Sequence, residues 1–222
     1  MYVCYVMDEN TIEEKKELRQ AVVYAFVLTV LPWITLIISE AFSLQLHRYG
    51  LQPLNIRGLT GILTMPFLHS GWEHLISNTP ALFLLTCGLF LFYQSDGWRI
   101  LLYLYLLSGL LTWLMARDST HIGASGFVYA LAAFHFLSGV IKKNPRQRAF
   151  ALLVAFLYGG FVWAFFPTLY AGTSISWEGH LSGLLIGIVI AFYFLDKGPK
   201  PPVYQSLEED DEETGDVIEG DG

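Results

Sequence analysis

The chain has 222 residues, of which 54% are hydrophobic and 15% are charged, and its mean hydropathy is +0.46. This composition is too apolar for a soluble domain with a polar surface, and it favours a single membrane domain of several short-looped spans. The net charge of −7 comes from nine acidic residues between Pro199 and Gly222, since the other charged residues are 11 acidic and 13 basic.

Six apolar segments come close to the roughly 20 residues that a helix needs to cross the hydrocarbon core. They run approximately over residues 20–42, 74–93, 99–115, 123–141, 148–166 and 180–195. We therefore predict an all-α membrane protein with a six-transmembrane-helix bundle over residues 20–195. A cytoplasmic N-terminal segment (1–19) precedes it, and an acidic cytoplasmic tail (196–222) without fixed structure follows it.

Basic residues orient the predicted bundle, because Lys and Arg concentrate on the cytoplasmic side of a membrane protein. With the N-terminus inside, ten of them are cytoplasmic and three are external. Both termini are therefore predicted to be cytoplasmic, which means the inner membrane in a bacterial cell. The first external connection, from Ser43 to Glu73, is long and half apolar, so we expect it to fold against the bundle or the interface.

Four polar residues fall at the external starts of three predicted spans. Ser125 lies in the small-residue sequence Gly123-Ala124-Ser125-Gly126 at the fourth span. His74 and Asn78 lie at the second span on one helix face, and His180 lies at the sixth. Taken one at a time, each residue could simply cap a helix or pack against a neighbouring helix. Ionisable groups within a membrane span are energetically costly, however, and they often mark a functional site.

Together these residues indicate acyl transfer. A serine hydroxyl needs an adjacent base, and neutral histidine suits that role near neutral pH. Backbone N–H groups at the helix start, with His74 and Asn78, could stabilise an oxyanion. Tyr129 faces the same way as Ser125 and could stack on the His180 ring. No third acid is obvious, so the sequence predicts a Ser-His dyad.

Other membrane-protease chemistries lack their residues in this sequence. There is no His-Glu-x-x-His zinc signature, and no aspartate lies within the six predicted spans. We therefore expect neither a metal nor a cofactor, and no nucleic-acid partner. Membrane lipids are expected to surround the bundle.

The chain resembles the rhomboid family of intramembrane serine proteases in three motifs, which fall on the second, fourth and sixth predicted spans. These motifs are His69-x4-His74-x3-Asn78, Gly123-Ala124-Ser125-Gly126 followed by Tyr129, and Gly179-His180-x2-Gly183.

The resemblance implies a role for each matching residue. Ser125 would be the nucleophile and His180 the general base, with Tyr129 packed on His180. His74, Asn78 and the backbone of Ser125 would form the oxyanion hole. The substrates would be single-span membrane proteins, cut near the external membrane surface at small residues in locally unwound segments. The loop over 167–179 would cap the site, and the fifth helix would border lateral substrate entry.

One departure from the family concerns the first external loop, which lacks the Trp-Arg pair that many members carry. The sequence therefore does not predict how this loop is anchored. The main alternative function is a non-catalytic rhomboid-like protein that binds transmembrane clients, although such relatives typically lack the serine or the histidine. A transporter or channel would need polar residues that continue through the bilayer, whereas these candidates cluster near one face.

Overall fold

The computed structural model describes residues 9–159 and 176–200, and within them it is helical. The described parts contain seven α-helices: α1 (Glu9–Ala41), α2 (Gly61–Thr64), α3 (Trp72–Phe92), α4 (Gly97–Met115), α5 (Ser125–Ile141), α6 (Pro145–Tyr158) and α7 (Trp177–Tyr193). The start of the N-terminal segment, the end of the fifth predicted span, most of the 167–179 loop and most of the acidic tail lie outside the described residues.

Each predicted span overlaps one of the longer helices, and for the fifth span this holds over its described part, up to residue 159. Among the described residues, three helices are long and apolar enough to cross a membrane, namely Ile12–Ala41, Trp72–Phe92 and Gly97–Met115. Ser125–Ile141 and Trp177–Tyr193 are shorter apolar helices. α1 begins at Glu9 and so extends before the apolar segment, which starts at residue 20. Its charged first turns are rich in Glu and Lys, which favour helix, so low hydropathy there does not end the helix.

α5 is the central helix, and it packs on α3, α4, α6 and α7. Ala130, Leu131 and Phe134 are fully buried on it. α7 approaches α5 most closely where small residues meet. A Cβ atom added at Gly183 would lie 2.0 Å from the carbonyl oxygen of Gly126, and no such contact is possible for a real side chain. The two backbones therefore touch directly, as small residues permit between membrane helices.

The 42–71 connection folds against the bundle through short helical turns, and two aromatic side chains of α4 hold it. The Trp113 indole N–H donates to the Asn55 carbonyl at 3.0 Å, and the Tyr105 hydroxyl donates to the Leu63 carbonyl. The first loop lacks the Trp-Arg pair. The tryptophan that holds this loop is instead Trp113 of α4.

Candidate active site

Ser125 is the first residue of α5, two residues after a turn that requires glycine. Gly123 has φ +112°, a backbone conformation that side chains disfavour. A Cβ atom there would also lie 2.6 Å from the His74 ring. The Gly123 N–H donates to the Met65 carbonyl at 2.9 Å, which ties this turn to the first loop. Because Ser125 begins the helix, its backbone N–H has no partner within the helix.

His180 lies in the first turn of α7 and reaches Ser125. Its Nε2 atom is 2.9 Å from the Ser125 Oγ, which is hydrogen-bond distance. The His180 residue is 7% exposed, and the Tyr129 ring stacks on its imidazole with centroids 4.3 Å apart and planes 14° apart. The structure therefore brings together the three residues Ser125, His180 and Tyr129 from two helices.

Two glycines allow this approach. A Cβ atom at Gly126 would lie 2.9 Å from the Gly179 carbonyl oxygen, and one at Gly183 would overlap the Gly126 carbonyl. Gly126 directly follows Ser125, and Gly179 directly precedes His180. The closest backbone contact between α5 and α7 is thus beside the Ser125–His180 pair, and a larger residue there would separate the two side chains.

His74 and Asn78 lie on one face of α3, on the side that faces the turn before Ser125. The His74 ring is close enough to Gly123 that no side chain fits between them. The Asn78 amide donates to the His74 carbonyl at 3.0 Å and lies 3.5 Å from His69 Nε2. One of its two N–H groups thus has a partner in α3, and the other makes a long contact.

His69 is a further histidine of this cluster. It lies before α3, and its ring meets the His74 ring edge-on, with centroids 4.9 Å apart. Burial lowers the pKa of His69 to about 4, and the neighbouring His74 contributes to that shift. His69 is therefore neutral at physiological pH and can accept a hydrogen bond.

A second Ser-His contact lies beside the first, and the sequence reasoning did not find it. His121 Nδ1 is 2.7 Å from the Ser176 Oγ. His121 precedes Ser125 by four residues and Ser176 precedes His180 by four, so the spacing is a signal that could have pointed to it. The buried Glu178, which the sequence left without a partner, pairs with Arg117 at 3.4 Å.

A cavity of about 370 Å³ lies between the end of α1, the first loop and the turn before α5, and its lining includes His69 but neither Ser125 nor His180. Its lining includes polar side chains such as Ser39, Gln45, His69, Ser70 and Thr120. Within 9–159 and 176–200, no group of three His, Cys, Asp or Glu residues is arranged to hold a metal ion. A serine hydrogen-bonded to a buried imidazole has the parts that nucleophilic acyl transfer uses.

Comparison with known proteins relates most of the chain to one family. A family model for the rhomboid domain matches residues 57–197. An uncharacterized protein of Mycobacterium tuberculosis is 33% identical over 195 residues, which cover 82% of this chain and 79% of the relative. An uncharacterized protein of Mycobacterium leprae is 29% identical over 188 residues, 81% of this chain and 74% of the relative. Rhomboid-like protein 11, chloroplastic, of Arabidopsis thaliana is 29% identical over 164 residues, 65% of this chain and 55% of the relative. The chain belongs to the rhomboid family, a family of integral membrane proteins that includes serine proteases.

Proposed function

We propose that this protein is an intramembrane serine endopeptidase that hydrolyses peptide bonds of single-span membrane proteins near the external membrane surface. The observation that carries the proposal is the 2.9 Å contact between Ser125 Oγ and His180 Nε2. Serine is a weak nucleophile until a base removes its proton, and this contact supplies the base. Membership of a family that includes serine proteases supports the same assignment.

The reaction would proceed in two steps through an acyl-enzyme. His180 Nε2 takes the hydroxyl proton as Ser125 Oγ forms a bond to the scissile carbonyl carbon. The resulting imidazolium gives that proton to the leaving amine as the C–N bond breaks. A water molecule then attacks the ester with His180 again acting as base, which releases the acid and restores Ser125. Tyr129, stacked on the imidazole, would hold the ring in the plane that these transfers need.

The tetrahedral oxyanion needs hydrogen-bond donors near Ser125. We assign this role to the Ser125 backbone N–H, the His74 ring and the Asn78 amide. Three observations support the assignment: the position of Ser125 at the helix start, the contact of His74 with Gly123, and the long contact of one Asn78 N–H. The N–H of Asn78 that donates to the His74 carbonyl would orient the amide, and the other N–H, 3.5 Å from His69 Nε2, would turn to the oxyanion.

Six membrane spans with both termini in the cytoplasm are part of the proposal, with the inner membrane as the location in a bacterial cell. Ser125 starts α5, and the basic residues Lys142, Arg146 and Arg99 gather at the end of the bundle where α5 ends, which supports an external active site. Substrates would enter from the lipid beside α6, and they would be cut at small residues in locally unwound segments.

Cleavage of a model single-span substrate in liposomes tests the proposal. The wild-type protein should cut the substrate, whereas Ser125→Ala and His180→Ala should not, although both should still bind it. Binding without cleavage by the wild-type protein would instead support the non-catalytic role. Wild-type rates from Ser125→Ala would contradict the assignment of the nucleophile.

A further inference from the structure

The loop before α5 and the first turn of α7 are joined by two Ser-His hydrogen bonds, one helical turn apart. The first joins His121 Nδ1 to Ser176 Oγ at 2.7 Å, and the second joins Ser125 Oγ to His180 Nε2 at 2.9 Å. The order of the residues is reversed between the two pairs. The α5 side supplies histidine and then serine, while the α7 side supplies serine and then histidine.

The surroundings of Ser176 distinguish the first pair from a second nucleophile. Ser176 is the N-cap of α7, and its Oγ accepts the Gly179 N–H at 3.2 Å. Its own proton is then free to go to His121 Nδ1, while His121 Nε2–H donates to the Arg117 carbonyl at 3.0 Å. Every polar side-chain atom of the pair then has a hydrogen-bond partner. The Ser176 hydroxyl therefore serves as the helix cap and not as a nucleophile.

His121 is held firmly enough to act as an anchor. It is 3% exposed, and its backbone forms both hydrogen bonds of an antiparallel bridge with Leu51 of the first loop, at 2.8 and 2.9 Å. A second link reinforces the first, because the buried carboxylate of Glu178 pairs with Arg117 at 3.4 Å. The start of α7 is therefore tied at two points to the segment that leads into Ser125.

We propose that His121 and Ser176 are positioning residues that hold the start of α7 in the register in which His180 meets Ser125. This proposal rests on the proposed protease function, because its main effect is on the reaction of that pair. The backbone N–H of His180 donates to the Ser176 carbonyl at 3.3 Å, so the two residues share one helical turn. Loss of the cap lets that turn unwind or slide, and a displacement of about 1 Å at a reacting group costs on the order of 100-fold in rate.

Ser176→Ala tests the proposal, with Ser176→Thr as the conservative variant that keeps the hydroxyl. Asn144→Ala is the matched control, because Asn144 caps α6 at the other end of the bundle by accepting the Arg146 and Gln147 N–H groups. Both alanine variants remove an N-cap and should lower the melting temperature in detergent by similar amounts. Ser176→Ala should lower kcat by about 10-fold or more with little change in KM, and Ser176→Thr should recover most of it. Asn144→Ala should keep the wild-type kcat.

The double variant His121→Ala/Ser176→Ala separates positioning from general damage. Because both changes break one hydrogen bond, its kcat should match that of the worse single variant, without multiplying the two losses. Wild-type kcat in Ser176→Ala, an equal loss in Asn144→Ala, or multiplied losses in the double variant would each overturn the proposal. If the wild-type protein cleaves no substrate, the proposed protease function fails, and the His121–Ser176 link is then tested by melting temperature alone. A decrease in the double variant that is smaller than the sum of the two single-variant decreases supports the link. A decrease equal to that sum refutes it.

Discussion

Gly183→Ala is expected to separate the two helices that carry Ser125 and His180. The added Cβ atom would lie 2.0 Å from the Gly126 carbonyl oxygen and 3.0 Å from the Ala130 nitrogen. Both of these are backbone atoms of α5, so no side-chain rotation can relieve the contact. α7 must therefore move away from α5 by at least about 1 Å, because real Cβ atoms essentially never approach another heavy atom closer than 3.0 Å.

That displacement acts next to the reacting pair. Gly126 follows Ser125 in the chain, and Gly183 lies one turn after His180. A shift of about 1 Å would lengthen the 2.9 Å contact between Ser125 and His180 beyond the hydrogen-bond limit of about 3.5 Å. We expect kcat to fall by about 100-fold. Overpacking should lower the free energy of unfolding by about 1–3 kcal/mol, although alanine is the better helix former.

Cleavage kinetics on a transmembrane substrate, with thermal unfolding in the same detergent, measure both effects. Gly159→Ala is the matched control, because nothing among the described residues lies within 4 Å of a Cβ atom at that position and its backbone is helical. It should keep the wild-type kcat and stability. A Gly183→Ala protein with kcat within about 3-fold of wild type would refute the argument that backbone contact at Gly183 sets the distance between the pair.

Three further variants probe other parts of the account. Tyr129→Leu should lower kcat by about 10-fold because it removes the ring stacked on His180, while Tyr129→Phe should stay near wild type in cleavage assays. The folded-state pKa of His69 is about 4, below its ordinary 6.5, so the unfolded chain binds the proton more tightly and stability should fall as the pH drops from about 6.5 toward 4. Over that pH range, the melting temperature of His69→Asn should fall less than that of the wild-type protein. Trp113→Phe removes the donor to Asn55, costs about 1 kcal/mol, and should speed amide hydrogen exchange in the 51–64 segment.

Each of these expectations has a clear contrary result. Equal activity of Tyr129→Leu and Tyr129→Phe would show that stacking on the imidazole does not matter. A pH dependence of melting temperature that is the same in His69→Asn and wild type would remove His69 as its source. Unchanged exchange in Trp113→Phe would show that the first loop is held by other contacts.

Hydropathy and segment order predict most of this fold. A span needs a long apolar helix, and the alternation of direction along the chain brings the starts of the second, fourth and sixth spans to one side. His74, Asn78, Ser125 and His180 can therefore be grouped from the sequence. The extension of α1 before residue 20 was not part of the prediction, because hydropathy falls at its charged residues while helix propensity does not.

Contacts between distant side chains and backbone atoms could not be predicted in the same way. Trp113 binds the carbonyl of Asn55, 58 residues earlier, and no periodicity in the sequence encodes such a bond. The four-residue spacing of His121 from Ser125 and of Ser176 from His180 hints at the His121–Ser176 pair. The bond itself also depends on how the turn before α5 is bent, because His121 lies outside any helix. The ion pair between Glu178 and Arg117 was not predictable either, because Arg117 lies on a loop whose path the sequence does not determine.

Covalent labelling of Ser125 tests the central claim, that His180 activates this serine as a nucleophile. The full-length protein in detergent is treated with a fluorophosphonate, which reacts with an activated serine and releases fluoride, and the modified residue is identified by mass spectrometry. We expect labelling at Ser125 in the wild-type protein and a rate at least about 100-fold lower in His180→Ala. Labelling of Ser125 at the same rate in His180→Ala, or no labelling of Ser125 in a protein that cleaves its substrate, would contradict the claim.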